Sequence, residues 1–458
     1  MDEDAGSPGS LPAAGSPVEL LAVLAEAAAA CGAQAGLPGL LERFARMPDP
    51  RDPRGRRHSL PAILGLCTAA VLAGQVGLED ITAWVAAAPQ QVLSAMGCRR
   101  NALGVCVAPH PDTIERVLAA LAAQDLADQA GAHLLAGHLR RHDDTTDPPR
   151  DTDRDTDPSD GRDALWRNAS GPLPRPAAAV DGKAVRGAVG VDGLIPYLLA
   201  VATHIDTVVI AERAIGPKSN EVPSFAPLLR GLAEHADITG WVFTMDAGHT
   251  VRAHARLVVG ELHAHYVMIA KQNTPKVFAV LDAQPWDTTP IAHEIIQTRH
   301  GRWEKRTIRV LPAPPELDFP HAAQVFLIER TTVRTVYKRD KNSKKIKKTK
   351  VRHAVAALGM TSLTAAQATG EHLAGYVRGQ WAIENKIHWV RDVTFREDAS
   401  RVRTGSRPRI MTTLRNLAIG IIRQAGHTRI APTIRRIRHD PLKILTLMGL
   451  PTTSQTIT

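Results

Sequence analysis

From Leu40 to about Arg140 apolar residues recur at helical spacing: Ile63, Leu64, Leu66 and Val71, then Ile81, Trp84 and Val85, then Ile114, Val117, Leu118 and Leu121. Side chains three, four and seven positions apart share a helix face, so this stretch predicts a series of helices. Its most apolar part, Leu60 to Leu78, reaches the length of a membrane span, but Gly65, Thr68, Gly74, Gln75 and Gly77 make it a poor one and favour a buried helix. After residue 163 the period changes. Short runs rich in β-branched and apolar residues, Ala177 to Asp181, Tyr197 to Thr203 and Thr207 to Glu212, predict strands. A helix over Ser224 to His235 leads to a strand over Trp241 to Asp246, and a helix over Arg252 to His263 leads to a strand over His265 to Ala270. A meander followed by alternating helix and strand implies a mixed α/β sheet. Further strand-like pieces, Ile295 to Thr298, Thr307 to Val310 and Ala323 to Glu329, suggest a β-rich insertion over 271–360, after which a helix is expected from Leu373 to about Val393.

Composition divides the chain further. Residues 1–37 are rich in Ala, Gly, Pro and Ser around one helical stretch, Val18 to Ala30, and read as peripheral. Arg140 to Asp163 holds nine Asp and five Arg with nothing to anchor it to a core, and reads as a disordered linker over 140–175. A helical domain over 38–139 would thus precede a catalytic core in two parts, 176–270 and 361–430, and 431–458 would form a basic tail.

The formal net charge of +10 favours a polyanionic partner, although basic enzymes with small substrates are common. Position is more informative than the total. Thr331 to Lys350 contains nine Lys or Arg against one Asp, and Arg401 to Leu450 eleven against one, tracts suited to a phosphate backbone. A proline-punctuated basic loop over 48–57 adds to them. Cys31, Cys67, Cys98 and Cys106 lack the spacing of a zinc ribbon or a disulfide framework and fit reduced thiols in a cytoplasmic protein. There is no secretory leader pattern, no Walker lysine motif, no GxSxG elbow, no HExxH and no GxGxxG after a strand. A membrane partner and a nucleotide cofactor are therefore not expected.

Candidate chemistry centres on carboxylates. Asp181 in Val-Asp-Gly-Lys and Asp246 in Phe-Thr-Met-Asp-Ala end predicted strands, the place where open sheets carry their sites. Glu384 lies on the expected helix beside an apolar stripe of Ile383, Ile387 and Val390, with Trp381, His388 and Arg391 close by. Three carboxylates can hold a pair of Mg²⁺ ions, or Mn²⁺, for in-line displacement at phosphorus, and Lys183, Arg186 and Arg391 could neutralise developing charge. Glu397-Asp398 is a rival source for the third carboxylate, with a cap or an ion pair to Arg401 or Arg403 as its other reading.

Asp181-Gly-Lys-Ala-Val-Arg-Gly, Lys218-Ser-Asn-Glu-Val-Pro, Asp246-Ala-Gly-His-Thr and the segment from Gln380 to Asp398, together with the basic loop from Asp49, resemble successive motifs of the DDE insertion-sequence transposases of the H-repeat-associated family. The likeness runs over roughly residues 40 to 425. It implies a ribonuclease H-like mixed-sheet core interrupted by a β-rich insertion and preceded by a helical N-terminal domain. It also implies a metal-binding triad of Asp181, Asp246 and Glu384, with DNA or phosphate contacts from Lys183, Arg186, His249, Lys271, Asn273, Trp381, His388 and Arg391. The implied activity cuts element ends and joins them to target DNA, with a homodimer assembled on the DNA. The motifs depart from the family at Gly248 and Val251, where Leu and Gln are usual, in Lys271-Gln-Asn-Thr-Pro, at Gln380, and at Arg391 in place of Leu. Two other readings stay open: an inactive DNA-binding relic or repressor, and a nuclease that cuts without joining.

Overall fold

The computed structural model describes residues 39–143, 173–190, 193–216, 220–299, 302–339 and 346–452. The segment Val18 to Ala30, Cys31 and most of the Asp-rich stretch lie outside these residues, as do Lys344 and Lys345.

Among the described residues, six α-helices precede the first strand: α1 (Leu40–Ala45), α2 (Leu60–Leu72), α3 (Leu78–Ala86), α4 (Gln90–Ala95), α5 (Pro111–Ala120) and α6 (Ala123–Asp143). Helix α2 is the apolar run noted above. Ser59 caps it by accepting from the Ala62 amide at 3.3 Å, Pro61 occupies its first turn, and every other residue in it is buried. An all-round apolar helix of this kind belongs inside a core. No helix among the described residues is long and apolar enough to cross a membrane. Cys67, Cys98 and Cys106 are buried free thiols. The apolar side chains of these helices share one continuous core with the sheet, running from Leu40 and Phe44 through Val180, Phe243 and Met268 to Met448.

The sheet has nine strands: β1 (Ala177–Ala184), β2 (Tyr197–Thr203), β3 (Val209–Ile215), β4 (Val242–Met245), β5 (His265–Ala270), β6 (His293–Arg299), β7 (Arg302–Pro312), β8 (Gln324–Arg339) and β9 (Ile346–Thr361), in the order β3-β2-β1-β4-β5-β9-β8-β7-β6. Strands β1 to β3 form an antiparallel meander, β1, β4 and β5 run parallel, and β9 pairs antiparallel to β5 through Leu358 to Thr361. The parallel strands are joined by α7 (Val222–Ala233), which precedes β4, and by α8 (Arg252–Arg256) with a π-helical turn, Leu257–Glu261, which precedes β5. The strands expected between 271 and 360 are thus parts of longer ones that extend the same sheet, and β9 had not been foreseen. Helix α9 (Pro275–Asp282) lies between β5 and β6.

Helix α10 (Gly370–Ala382) is capped by Thr369 and passes through a π-helical turn, Ile383–His388, into α11 (Trp389–Val393). Ile383 and Ile387 are buried against Ala179, Ala200, Ala202 and Val209, which seats the carboxylate-bearing helix on the meander. The chain ends in α12 (Arg407–Gln424), α13 (Ile430–Ile437) and α14 (Pro441–Leu447).

Part of the basic tract in this last region serves internal contacts. Arg403 donates to the Gly187 carbonyl, Arg409 to Gln124, Arg415 to Glu397, and Arg423 to the Lys386 carbonyl at 2.7 Å, while Arg407 pairs with Glu115 at 3.9 Å. These five hold α12 and the turn before it to their neighbours, whereas Arg401, Arg435, Arg436, Arg438 and Lys443 are exposed. A count of charges along a sequence does not distinguish the two arrangements.

Candidate active site

Register brings the two aspartates together. Strands β1 and β4 are parallel neighbours with Val180 opposite Met245, and Asp181 and Asp246 are the next residue on each. Adjacent strands are about 4.8 Å apart. Strand β1 continues to Ala184, so Asp181 sits within it, opposite Ala200 of β2, and not at its end. Asp246 is exposed and accepts a 2.8 Å hydrogen bond from the Gly248 amide at the start of a 3₁₀ turn, Ala247–His249.

The glutamate helix is clamped beneath these strands. Buried Gln380 donates from Nε2 to the Val180 carbonyl at 3.1 Å and accepts from the Thr244 hydroxyl at 2.6 Å, so one amide bridges β1 and β4 just before each aspartate. The Thr244 hydroxyl also meets His204 Nε2 at 2.9 Å. A methyl group on Gly379 would collide with the His204 ring, which is why the helix approaches this closely only with glycine there. Glu384 follows Gln380 by about one turn, exposed, in the π-helical segment. Such turns interrupt regular helices most often at functional positions.

The electrostatics show what converges. Burial raises the Asp181 carboxyl to about 7, and the negative charges of Asp246, Glu221 and Glu384 add to the shift. Glu221, from the Lys218-Ser-Asn-Glu-Val-Pro segment, had no assigned role. Its carboxylate lies 2.6 Å from Nε2 of the fully buried His249. Burial would raise its pKa, but the hydrogen bonds and charge of His249 and the hydroxyl of Tyr197 outweigh that and hold it below the usual range. It also occupies the space that a side chain at 182 would need, which explains the Asp-Gly pair. The signal for Glu221 was its place in a quoted motif; its proximity depends on how α7 enters the fold. From the other side, Asn273 donates to the Ala247 carbonyl and Thr250 to the Ile269 carbonyl, both at 2.6 Å. The loop carrying Asp246 is thereby braced against both α7 and β5.

The residues expected to contact phosphate separate into two groups. Arg186, Lys271, Asn273 and Trp381 are exposed. Arg391 is not available: it is 1% exposed and binds Glu397 through Nε and a terminal nitrogen at 2.9 and 2.6 Å. Glu397, wholly buried, also accepts from Arg415 at 3.0 Å and Thr412 at 2.9 Å. Burial would raise its pKa, yet the two guanidinium groups hold it at about 2. Glu397 is therefore neither a third site carboxylate nor a partner of Arg401 or Arg403, but the centre of an internal ion cluster. His249 is likewise buried against Glu221 and cannot reach DNA. His388 is 7% exposed, with Nδ1 3.6 Å from Asp181 Oδ2, and burial, reinforced by Arg391 and Lys183, lowers its pKa to about 3. It presents a neutral ring to Asp181 rather than a cation to DNA. Lys183 is largely buried and tied to Asp392 at 2.7 Å, joining β1 to α11.

The donor set suits a hard divalent cation: Asp181 and Asp246 on neighbouring parallel strands, with the Asp181 carboxyl raised to about 7 first by burial and then by the charges of Asp246, Glu221 and Glu384. Among the described residues no three His, Cys, Asp or Glu side chains already converge on a single ligand position.

Asp181 and Asp246 thus stand on neighbouring strands of a mixed sheet, with Glu384 on a later helix, and comparison with known families gives the class. Residues 196–421 match the family model for the transposase DDE domain, and residues 41–134 match the DDE_Tnp_1-associated model. The chain belongs to the DDE transposases, enzymes that act on DNA. It is 25% identical over 407 residues to the "H repeat-associated putative transposase YhhI" of Escherichia coli strain K12, covering 84% of this chain and 90% of that one. It is 26% identical to the "Putative transposase YncI" of Escherichia coli O157:H7 over 261 residues, a match that spans 54% of this chain and 61% of that relative. Among solved structures, a piggyBac transposase synaptic complex with hairpin DNA aligns over 89% of this chain and 76% of that one, at 10% identity and a TM-score of 0.36, a likeness too slight to carry an argument.

Proposed function

We propose that this protein cuts the ends of an insertion sequence and joins them to target DNA, using Asp181, Asp246 and Glu384 to hold two Mg²⁺ ions, or Mn²⁺. The observation that carries the reading is the Asp181 carboxyl, raised to about 7 by burial and by the charges of Asp246, Glu221 and Glu384. Such a concentration of negative charge disfavours the folded state until a cation enters, and it is retained where function demands it. The antiparallel meander β1 to β3, followed by parallel β4 and β5, supports a ribonuclease H-like core.

In cutting, water adds to a backbone phosphorus and the bond to the leaving 3′ oxygen breaks, freeing a 3′-hydroxyl. In joining, that hydroxyl attacks a target phosphodiester and displaces a second 3′-hydroxyl. Bound cations would supply activation of the attacking oxygen and stabilisation of the leaving one. The chain's own residues orient the groups. Gln380 holds the glutamate helix under the two strands, Glu221 and Asn273 fix the Asp246 loop, and the neutral His388 ring walls off Asp181 without competing for its charge. Exposed Arg186 and Lys271 are suited to backbone phosphates. Cutting two ends in concert suits a homodimer on DNA.

The test is an end-labelled cleavage and strand-transfer assay with DNA carrying the sequences that flank the gene, in Mg²⁺ or Mn²⁺, comparing the wild type with Glu384→Ala. Metal-dependent nicking at a defined end, with joined products that the variant lacks, is the expected result. Cutting without joining would establish a nuclease. Binding with no cutting by the wild type would establish an inactive relic.

A further inference from the structure

We propose that the outer half of the β8–β9 hairpin is a two-stranded ribbon that lies in the major groove of duplex DNA; the inference rests on the DNA-cutting reading above. Strand β7 accompanies β8 only as far as Arg334, which stands opposite Arg302, and β5 holds β9 only from Leu358 to Thr361. Beyond that support, Thr335 to Arg339 pair with Ile346 to Lys350 alone. These five pairs extend about 17 Å at the usual rise of a strand. Every residue from Lys348 to Ala356 is exposed, on both faces of the pleat. A ribbon that shows both faces to solvent has no part in packing the core.

Register decides what each face carries. Residues directly opposite in an antiparallel pair point the same way. Val333 faces Arg352, Thr335 faces Lys350 and Tyr337 faces Lys348, so one face presents three cations in a row with an aromatic ring that is 66% exposed. The other face carries Arg334 opposite Val351 and Thr332 opposite His353. No acidic residue occurs from Arg330 to Gly370 except Asp340. An open strand edge could also pair with a second copy of the chain, but that would set two rows of like charge side by side. A polyanion removes the repulsion. The major groove, about 12 Å wide, admits a two-stranded ribbon.

The root of the hairpin lies beside the glutamate helix. The Arg330 guanidinium lies 5.8 Å from the ring centroid of Trp381, three residues before Glu384. That contact lies on the face of β8 that also bears Arg334, opposite the row of Lys348, Lys350 and Arg352.

The test uses the full-length protein, a labelled 30-base-pair duplex from the element end, and fluorescence anisotropy across a salt series. Lys348→Ala, Lys350→Ala and Arg352→Ala combined should weaken binding at least tenfold and make the log–log salt slope shallower by about 2.7, the value for three lost phosphate contacts. Lys348→Arg combined with Lys350→Arg, beside the native Arg352, should bind as the wild type does, which separates charge from misfolding. Methylating guanine N7 should weaken wild-type binding, and a minor-groove ligand such as netropsin should not. Wild-type affinity and slope in the alanine variant would overturn the ribbon while leaving the DNA reading intact. So would competition by netropsin alone, or a variant that loses self-association but keeps its salt slope. A wild type that binds no duplex would overturn both readings.

Discussion

Replacing Asp181 by Asn should make the metal-free protein more stable at alkaline pH while abolishing cleavage. Burial and the neighbouring carboxylates raise the Asp181 carboxyl from 3.8 to about 7. The folded chain therefore holds a proton that the unfolded chain releases. Stability from this group is complete below pH 3.8 and is lost progressively as pH rises through 7. One pKa unit corresponds to about 1.4 kcal/mol, so the loss between pH 5 and pH 8 amounts to roughly 2–3 kcal/mol. The side chain is 26% exposed, which makes the lower end the better expectation. Asn has the same shape and no charge, so its advantage over the wild type should widen by about 2 kcal/mol over that interval. Urea unfolding of both proteins in EDTA, at pH 5 and pH 8, measures the difference. Adding Mg²⁺ should then close the gap by stabilising only the wild type, because a ligand of the folded state raises its stability by mass action. A gap that is equal at the two pH values, or an Asn variant less stable throughout, would refute the idea that burial and the neighbouring carboxylates disfavour a charge at this position.

The ion cluster around Glu397 makes a contrasting prediction. Glu397→Gln leaves Arg391 and Arg415, 1% and 2% exposed, without their counter-charge and should cost about 3–5 kcal/mol in urea unfolding. Arg391→Ala should lose comparable stability while leaving the salt slope of DNA binding unchanged; a shallower slope would return Arg391 to the DNA interface. Gln380→Ala leaves the Val180 carbonyl and Thr244 hydroxyl without their amide partner, a loss of about 1–3 kcal/mol. Single-turnover cleavage should slow about tenfold to a hundredfold with DNA affinity unchanged, and an unaltered cleavage rate would remove Gln380 from the positioning of Glu384.

Much of this arrangement was legible from pattern. The meander and the parallel strands read clearly because Tyr197 to Thr203 and His265 to Ala270 are continuous apolar runs, as doubly covered strands must be. The stripe of Ile383, Ile387 and Val390 announced a helix seated on the sheet, and all three are buried. Strand β9 was not legible, because Lys347, Lys348, Lys350 and Arg352 have little intrinsic strand preference and are held by pairing with β8. Nor did charge count reveal direction. Arg391 and Arg415 point into the core because Glu397 is there to receive them, a contact fixed by the approach of α11 to α12 and not by local sequence. Glu221 was hidden for the same reason.

The three proposed ligands are brought to neighbouring strands and the helix packed on them by independent routes. Asp181 and Asp246 are set by strand pairing alone, since any register that keeps Val180 beside Met245 brings both to the same end of the sheet. Glu384 comes from much later in the chain, after the strands that carry the basic ribbon, so no local preference could place it. Its position depends on two contacts of different kinds. Buried Ile383 and Ile387 fix which face of the helix meets the meander, and the Gln380 amide fixes how far along the strands the helix lies. The apolar contact tolerates sliding, whereas the amide does not, because it satisfies one named carbonyl on β1 and one named hydroxyl on β4. A polar side chain in this core thus supplies register, and the intervening segment from Lys271 to Thr369 is free to carry a β-sheet extension and the proposed DNA-binding arm without disturbing the carboxylates.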